Sequence, residues 1–324
     1  MNKHKIPVVV IFAPTASGKT ALMKELFSCK GSHFILNAEV INADSCQVYK
    51  YMDIGTAKAE KELLDLVPHH LINLCLPSEQ FNVSDFVDMA DKKCEEIYKM
   101  GKLPVVCGGT GFYIRNFLFG VSKTPESDPK IREELKDRVQ KEGTKALYAE
   151  LQKIDPQSAL KIHPNDAYRI CRALEVYYIS GKTRTSFQIR NSLRDCYEFL
   201  FLILQPPREK LYERIRQRVD LMIDAGLEKE INNLVQKGYN QNSPGMKAIG
   251  YSEWFESEYF NGNKDIAEIV ENIKHHSCKY AKKQYTYIRD INEGIVIDYN
   301  GTEEDIKKAG KLISDFMKTT MKQK

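Results

Sequence analysis

Apolar and β-branched residues cluster in five short runs: Val8–Phe12, Glu39–Asn42, Pro104–Cys107, Phe199–Leu204 and Ile295–Asp298. Runs of this length that lack alternation read as strands buried on both faces, and the segments between them carry helical spacing. Strands alternating with helices predict an α/β fold, a parallel sheet flanked by helices. The interval between the third and fourth runs is far longer than one crossover helix needs, roughly a dozen residues. Its segments "DPKIREELKDRVQ", "TKALYAELQKID" and "NDAYRICRALEVYYIS" are polar and helical. They predict a helical insertion over residues 122–196, with residues 1–121 and 197–324 forming the sheet-bearing core.

The first run leads into "APTASGKT". Gly-Lys-Ser/Thr at a strand-to-helix junction makes a nest of backbone N–H groups for phosphate oxygens. Ala13, Pro14, Thr15, Ala16, Ser17, Gly18, Lys19 and Thr20 form this loop, Lys19 adds a point charge, and the Thr20 hydroxyl is a candidate Mg²⁺ ligand. Ala13 stands where the full motif has its first glycine, and alanine fits there if φ stays negative. After the second run come Asp44, Ser45, Cys46 and Gln47. Ligands of parallel sheets bind outside the carboxyl ends of strands, so Asp44 should lie near the phosphate loop. Two roles are open for it: holding Mg²⁺ in a small-molecule kinase, or acting as a general base for a nucleophile.

Composition changes this picture little. The 324 residues are 42% hydrophobic and 28% charged, and the net charge of +4 permits a nucleic-acid partner without requiring one. The eight cysteines form no Cys-x-x-Cys pair and read as reduced thiols of a cytoplasmic protein. No segment approaches membrane-spanning length, and the N-terminal apolar run is too short for a signal sequence.

Eight segments resemble, in order, those of the tRNA dimethylallyltransferases (tRNA isopentenyltransferases): "PTASGKT", "INADSCQVYKYMDIGTAK", "VPHHLINLCLPSEQFNVSDF", "GGTGFYIRNFLFG", "HPNDAYRICRALEVYYISGKT", "RIRQRVDLMIDAGLEKEI", "MKAIGYSE" and "AKKQYTYIRD". The resemblance implies a P-loop NTPase-like core and transfer of a dimethylallyl group from dimethylallyl diphosphate to N6 of adenosine 37 in tRNA. It implies that the loop grips diphosphate, with Lys19, Asp44 and Thr110 at the reacting centre and Arg218 on the diphosphate. It further implies tRNA contacts by Asp44, Ser45, Cys46, Gln47, Thr110, Arg132, Tyr168, Arg169, Ile170, Cys171, Arg172, Lys247, Gly250, Tyr251, Lys282, Lys283, Gln284, Tyr287 and Arg289. Mg²⁺ is the expected cofactor, the anticodon stem-loop the expected partner, and a cytoplasmic monomer of the bacterial form the expected state. The chain departs from the family's usual pattern at Ala13 and at Lys283, where lysine keeps the charge of arginine without its planar fork. The His69-His70 pair is read as structural, and His275-His276 as surface or RNA-facing.

Overall fold

In the computed structural model, residues 5–187, 192–289 and 291–321 are described. By its internal contacts the chain divides into two compact units, residues 1–118 with 194–324, and residues 119–193. These limits lie slightly N-terminal to the 122–196 read from the sequence.

The first unit is built on a six-stranded parallel sheet. Its elements in chain order are β1 (Ile6–Phe12), α1 (Lys19–Phe27), β2 (Ala38–Asn42), α2 (Lys61–Leu66), β3 (His69–His70), α3 (Val83–Lys99), β4 (Leu103–Gly108) and α4 (Gly111–Phe119). After the second unit, which holds α5 (Pro129–Glu142), α6 (Thr144–Ile154), α7 (Pro156–Ala159) and α8 (Ala167–Ser180), the sheet unit resumes. It adds β5 (Tyr197–Gln205), α9 (Arg208–Asp224), α10 (Leu227–Gln236), α11 (Ser252–Glu256), α12 (Ala267–Ile288), β6 (Ile295–Asp298) and α13 (Glu303–Met321). All five expected strands are present. The short β3 was not expected, because two adjacent histidines carry no apolar pattern. His69 Nδ1 lies 2.6 Å from the Val67 carbonyl oxygen, and His70 Nε2 lies 2.6 Å from Glu39 Oε2. Both rings thus serve the edge of the sheet.

The strand order is β3-β2-β4-β1-β5-β6. Central strands β1, β2 and β4 are buried along their whole length apart from Ile6, as a sheet covered on both faces requires. From β1 the chain crosses over β4 to reach β2, whereas from β4 it crosses over β1 to reach β5. The connections that leave these neighbouring strands therefore part in opposite directions, and a crevice opens at their carboxyl ends. Val9, Ile11, Leu22, Leu26, Val105 and Leu202 pack one buried cluster around the sheet.

In the helical unit, Leu135, Leu147, Leu151, Ile170, Ala173 and Leu174 form a separate core. Three of its four helices start on side-chain caps: Asp128 accepts from Lys130 N, Asp155 from Ser158 N and Asp166 from Arg169 N. Where the chain returns to the sheet unit, Arg194 N donates to the Leu118 carbonyl at 2.9 Å, and the Arg194 guanidinium pairs with Asp91. Among the described residues no helix is long and apolar enough to cross a membrane.

Candidate active site

Three loops meet at the carboxyl ends of β1, β2 and β4. The loop after β1 runs from the buried Ala13 and Pro14 into α1. Its left-handed residues are Ala16 (φ 58°) and Gly18 (φ 91°), and Ala13 is not one of them. The missing glycine is therefore tolerated by the backbone, and the local strain falls on Ala16, where the left-handed region costs about 1–2 kcal/mol. Lys19 Nζ folds back to donate to the carbonyl oxygens of Ala13 and Pro14, each at 2.9 Å. Burial lowers its pKa, while Cys107 and Asp44 pull the other way. Thr20 is exposed in the first turn of α1. The Ser17 hydroxyl is buried and has no hydrogen-bond partner among the described residues.

The loop after β2 carries Asp44, whose Oδ1 accepts from Cys46 N at 2.9 Å. Asp44 is half-buried, and its charge is felt at Lys19, Arg218, Cys46 and Tyr280. Burial first, and Asp44 second, push the Cys46 thiol up to about 12. Gln47 Nε2 donates to the carbonyls of Thr56 at 3.0 Å and Ala57 at 3.3 Å. Its amide nitrogen thus holds the 53–58 loop.

The loop after β4 is the Gly-Gly-Thr-Gly stretch. A Cβ on Gly108 would stand 2.1 Å from the Ala43 carbonyl oxygen, and one on Gly109 2.5 Å from Gln284 Nε2. Glycine is needed here for close approach, not for a positive φ. Thr110 N donates to the Ala43 carbonyl at 3.1 Å. Thr110 Oγ1 accepts from Ser45 N at 2.9 Å and donates to Ser45 Oγ at 3.2 Å. The loops bearing Asp44 and Thr110 are in this way one hydrogen-bonded unit.

Two helices close over them. From α9, where Leu211, Ile215 and Val219 form the buried stripe, Arg218 reaches Thr15 Oγ1 at 3.3 Å and the Ala57 carbonyl at 3.4 Å. Burial lowers its pKa and Asp44 opposes the shift. Arg214 instead donates to the Asn300 carbonyl. From α12, the Gln284 amide accepts from Thr15 N at 3.2 Å and donates to the Gly109 carbonyl at 2.7 Å. Thus Lys19, Asp44, Thr110 and Arg218 come together, and a cation-rich loop faces a carboxylate and a hydroxyl.

The residues expected to touch RNA differ in burial. Tyr168, Arg169, Lys247, Lys282, Lys283, Tyr287 and Arg289 are exposed. Arg132, Cys171 and Arg172 are half-buried, with the Arg132 guanidinium 5.8 Å from the centre of the Tyr168 ring. Arg172 is tied to the buried Glu175 at 2.7 Å and to the Pro125 carbonyl at 2.7 Å. Ile170, Gly250, Tyr251 and Gln284 are buried. Ile170 packs in the helical core, Gly250 N donates to Glu253, and Tyr251 lies over Gly55 with its hydroxyl on Glu230. His276 Nδ1 also turns inward, to Glu253 Oε1 at 2.8 Å.

Two residues of the site lie outside the sequence reading. Glu230 of α10 accepts from Asp53 N, Ile54 N and Gly55 N and from the Tyr251 hydroxyl. It anchors the loop whose carbonyls hold Gln47 and Arg218. Tyr280 of α12 lies within reach of the Asp44 charge. Only its spacing, one turn before Gln284, could have marked it.

A family model described as IPP transferase matches residues 47–291. A tRNA dimethylallyltransferase of Thermoanaerobacter sp. (strain X514) is 40% identical over 319 residues, covering 95% of this chain and 99% of that protein. The tRNA dimethylallyltransferase of Bacillus subtilis (strain 168) is 40% identical over 291 residues, with 90% of each chain covered. The crystal structure of a full-length tRNA isopentenylpyrophosphate transferase from Bacillus halodurans superposes with a TM-score of 0.69 at 36% identity, covering 98% of this chain and 99% of that one. A eukaryotic dimethylallyltransferase acting on tRNA gives a TM-score of 0.80 at 29% identity, over 97% of this chain and 80% of its own. With the glycine loop, Asp44 and Thr110 gathered at one edge of the sheet and relatives matched over nearly their whole length, the chain belongs to the tRNA dimethylallyltransferase family.

Proposed function

We propose that this chain transfers the dimethylallyl group of dimethylallyl diphosphate to N6 of adenosine 37, beside the anticodon of tRNA, and releases diphosphate. The observation that carries this reading is the meeting of the Lys19 loop, Arg218, Asp44 and Thr110 at the crevice between β1 and β4. A diphosphate needs cations and N–H donors, and an amine nucleophile needs a proton acceptor beside them.

The N6 lone pair is delocalised into the adenine ring, which makes it a weak nucleophile. As N6 attacks the first carbon of the prenyl group, the carbon–oxygen bond to diphosphate breaks and its electron pair leaves with the diphosphate. The N6 proton passes to the Asp44 carboxylate. Charge growing on the leaving group meets the loop N–H groups, Lys19 and Arg218, the logic of an oxyanion hole. Lys19 Nζ exchanges its own loop carbonyls for phosphate oxygens in this step. The adenine has to leave the anticodon-loop stack to reach the crevice, the usual mode of reading RNA loops.

Mg²⁺ fits the residues present. Among the described residues there is no group of three or more His, Cys, Asp or Glu side chains that could hold a metal alone. Mg²⁺ is commonly held by one or two protein groups together with substrate phosphates, and the exposed Thr20 hydroxyl would supply that share. When bound, the ion would neutralise charge on the diphosphate oxygens. In the sheet unit the exposed Lys282, Lys283 and Tyr287, and in the helical unit the exposed Arg169 and Tyr168, each combine cation and aromatic side chains of the kind that suits a single-stranded loop. The reading includes action in the cytoplasm as a monomer.

The test is a transfer assay with purified protein, Mg²⁺ and radiolabelled dimethylallyl diphosphate, offering unmodified tRNA or AMP as acceptor and following ATP hydrolysis alongside. Label in tRNA alone is the expected result. Label in AMP would move the acceptor to a small molecule, and ATP turnover without label would make the glycine loop that of a kinase.

A further inference from the structure

Among the described residues, five that are not glycine have a positive φ: Ala16, Tyr51, Ala57, Leu71 and Asn73. Tyr51 (φ 67°) is the one aromatic residue in that set. For a bulky side chain this conformation is an outlier, which glycine adopts without strain. Such backbone persists only where its surroundings fix it, and it gathers at ligand clamps and active sites. The surroundings here are firm. Tyr49 and Met52, on either side, are buried in one apolar cluster with Met246 and Trp254. Lys50 N donates to the Cys75 carbonyl at 2.8 Å. The carbonyls of Tyr49 and Met52 accept from Lys58 Nζ and Thr56 Oγ1, each at 2.5 Å.

On this fixed backbone 47% of Tyr51 is open to solvent. Lys237, exposed at the end of α10, holds its ammonium 5.0 Å from the centre of the ring. An open aromatic ring with a mobile cation beside it suits a single-stranded nucleotide: the base stacks on the ring and the ammonium meets a phosphate. Residues expected to touch RNA adjoin the position on two sides. Gln47 lies four residues earlier, at most about 14 Å away along the chain. A Cβ on Gly245 would stand 2.9 Å from Met52 Sδ, so the stretch leading to the exposed Lys247 packs against the neighbour of Tyr51. The carboxylate of Asp53, two residues on, is paired with Lys58 at 2.7 Å.

We propose that Tyr51 is an RNA-binding residue, whose ring stacks an unpaired base of the anticodon loop while Lys237 meets the phosphate beside it. The inference deepens the tRNA reading above and rests on it. Glycine would make this left-handed turn without strain, so the fold itself gives no reason for a tyrosine here.

The test uses the full-length protein and a fluorescent, unmodified anticodon stem-loop RNA, with wild type measured first. Tyr51→Gly removes the ring and relieves the backbone. Its Kd should rise about tenfold, within the range of one lost base stack, while its melting temperature does not fall. The KM for dimethylallyl diphosphate and the single-turnover transfer rate at saturating RNA stay within about twofold of wild type, because the reacting groups are untouched. Tyr51→Asn, which also tolerates a positive φ, repeats the loss of affinity. Tyr51→Phe keeps the ring and binds like wild type. Lys237→Ala lowers the slope of log K against log salt by about one. Three results would each overturn the stacking role and leave the proposed function standing: an unchanged Kd in Tyr51→Gly and Tyr51→Asn, a phenylalanine variant as weak as the glycine one, or a loss of affinity matched by a lower melting temperature and a slower saturated rate. An unchanged salt slope in Lys237→Ala would remove the phosphate contact. Wild-type protein that binds neither this RNA nor whole tRNA would overturn both the inference and the tRNA reading.

Discussion

Gln284 donates to the Gly109 carbonyl at 2.7 Å and, with its other amide atom, accepts from Thr15 N at 3.2 Å. One buried side chain thereby fixes the distance between the phosphate loop after β1 and the glycine loop after β4. Gln284→Ala would leave a buried N–H and a buried carbonyl without partners, each worth about 1–3 kcal/mol. The expected outcome is a lower melting temperature together with a loss of transfer activity larger than the fraction unfolded accounts for. A thermal melt and steady-state kinetics on the same preparation check this.

Asp44→Ala should slow transfer by about 10²–10⁴-fold, the range of general base catalysis, while stem-loop RNA still binds. Single-turnover kinetics at saturating RNA separate the two effects. Near-normal turnover would remove the base assignment.

Glu230 collects three backbone N–H groups and the Tyr251 hydroxyl on its two oxygens. Glu230→Gln replaces one acceptor oxygen with an NH₂ group that faces donors. Hydrogen bonds to a charged group are worth about 1.5–3 kcal/mol, so the 53–58 loop should loosen. Because Ala57 of that loop receives Arg218, the KM for dimethylallyl diphosphate should rise while the Kd for RNA stays. An unchanged KM would show that Arg218 does not depend on the loop.

Lys283 is exposed on α12. If it meets an RNA phosphate, Lys283→Ala weakens binding and reduces the slope of log K against log salt by about one. Titrations at several salt concentrations read this directly, and an identical slope argues against the contact.

Asp155 is 2% exposed in the helical unit. Burial would raise its pKa, but hydrogen bonds from Ser158 and Thr185 outweigh this and hold the carboxyl below its ordinary value. A carboxyl with a depressed folded-state pKa stabilises the fold above the unfolded value, near 3.9, and loses that contribution as pH falls through the folded value. Asp155→Asn should therefore lower the melting temperature at pH 7 and close much of the gap to wild type below about pH 4. Equal melting curves at both pH values would refute the linkage.

Much of this was legible in the chain because buried parallel strands are contiguous apolar runs, and the loops that follow them are contiguous with the chemistry. Asp44 and Thr110 fall next to strand ends in the sequence and next to each other in the fold. The burial of Ile170, Tyr251 and Gln284 was not legible, for a different reason. They belong to segments with exposed neighbours, and helical or turn geometry sends every third or fourth residue inward. Glu230 carries no local pattern, and Tyr280 only its spacing from Gln284. Their place depends on how α10 and α12 dock on the loops, a long-range outcome that spacing alone does not encode.

The chain leaves the sheet unit at Leu118 and re-enters at Arg194, and the two are joined by a 2.9 Å hydrogen bond. Everything from 119 to 193 is thus topologically a side branch, entered from the end of α4 and left just before β5, of a sheet whose six strands are complete without it. Its length and composition can drift, or be exchanged wholesale, without changing the register of any strand. The part of the chain free to vary in this way is separate, in the wiring of the chain itself, from the part whose strands must keep their register.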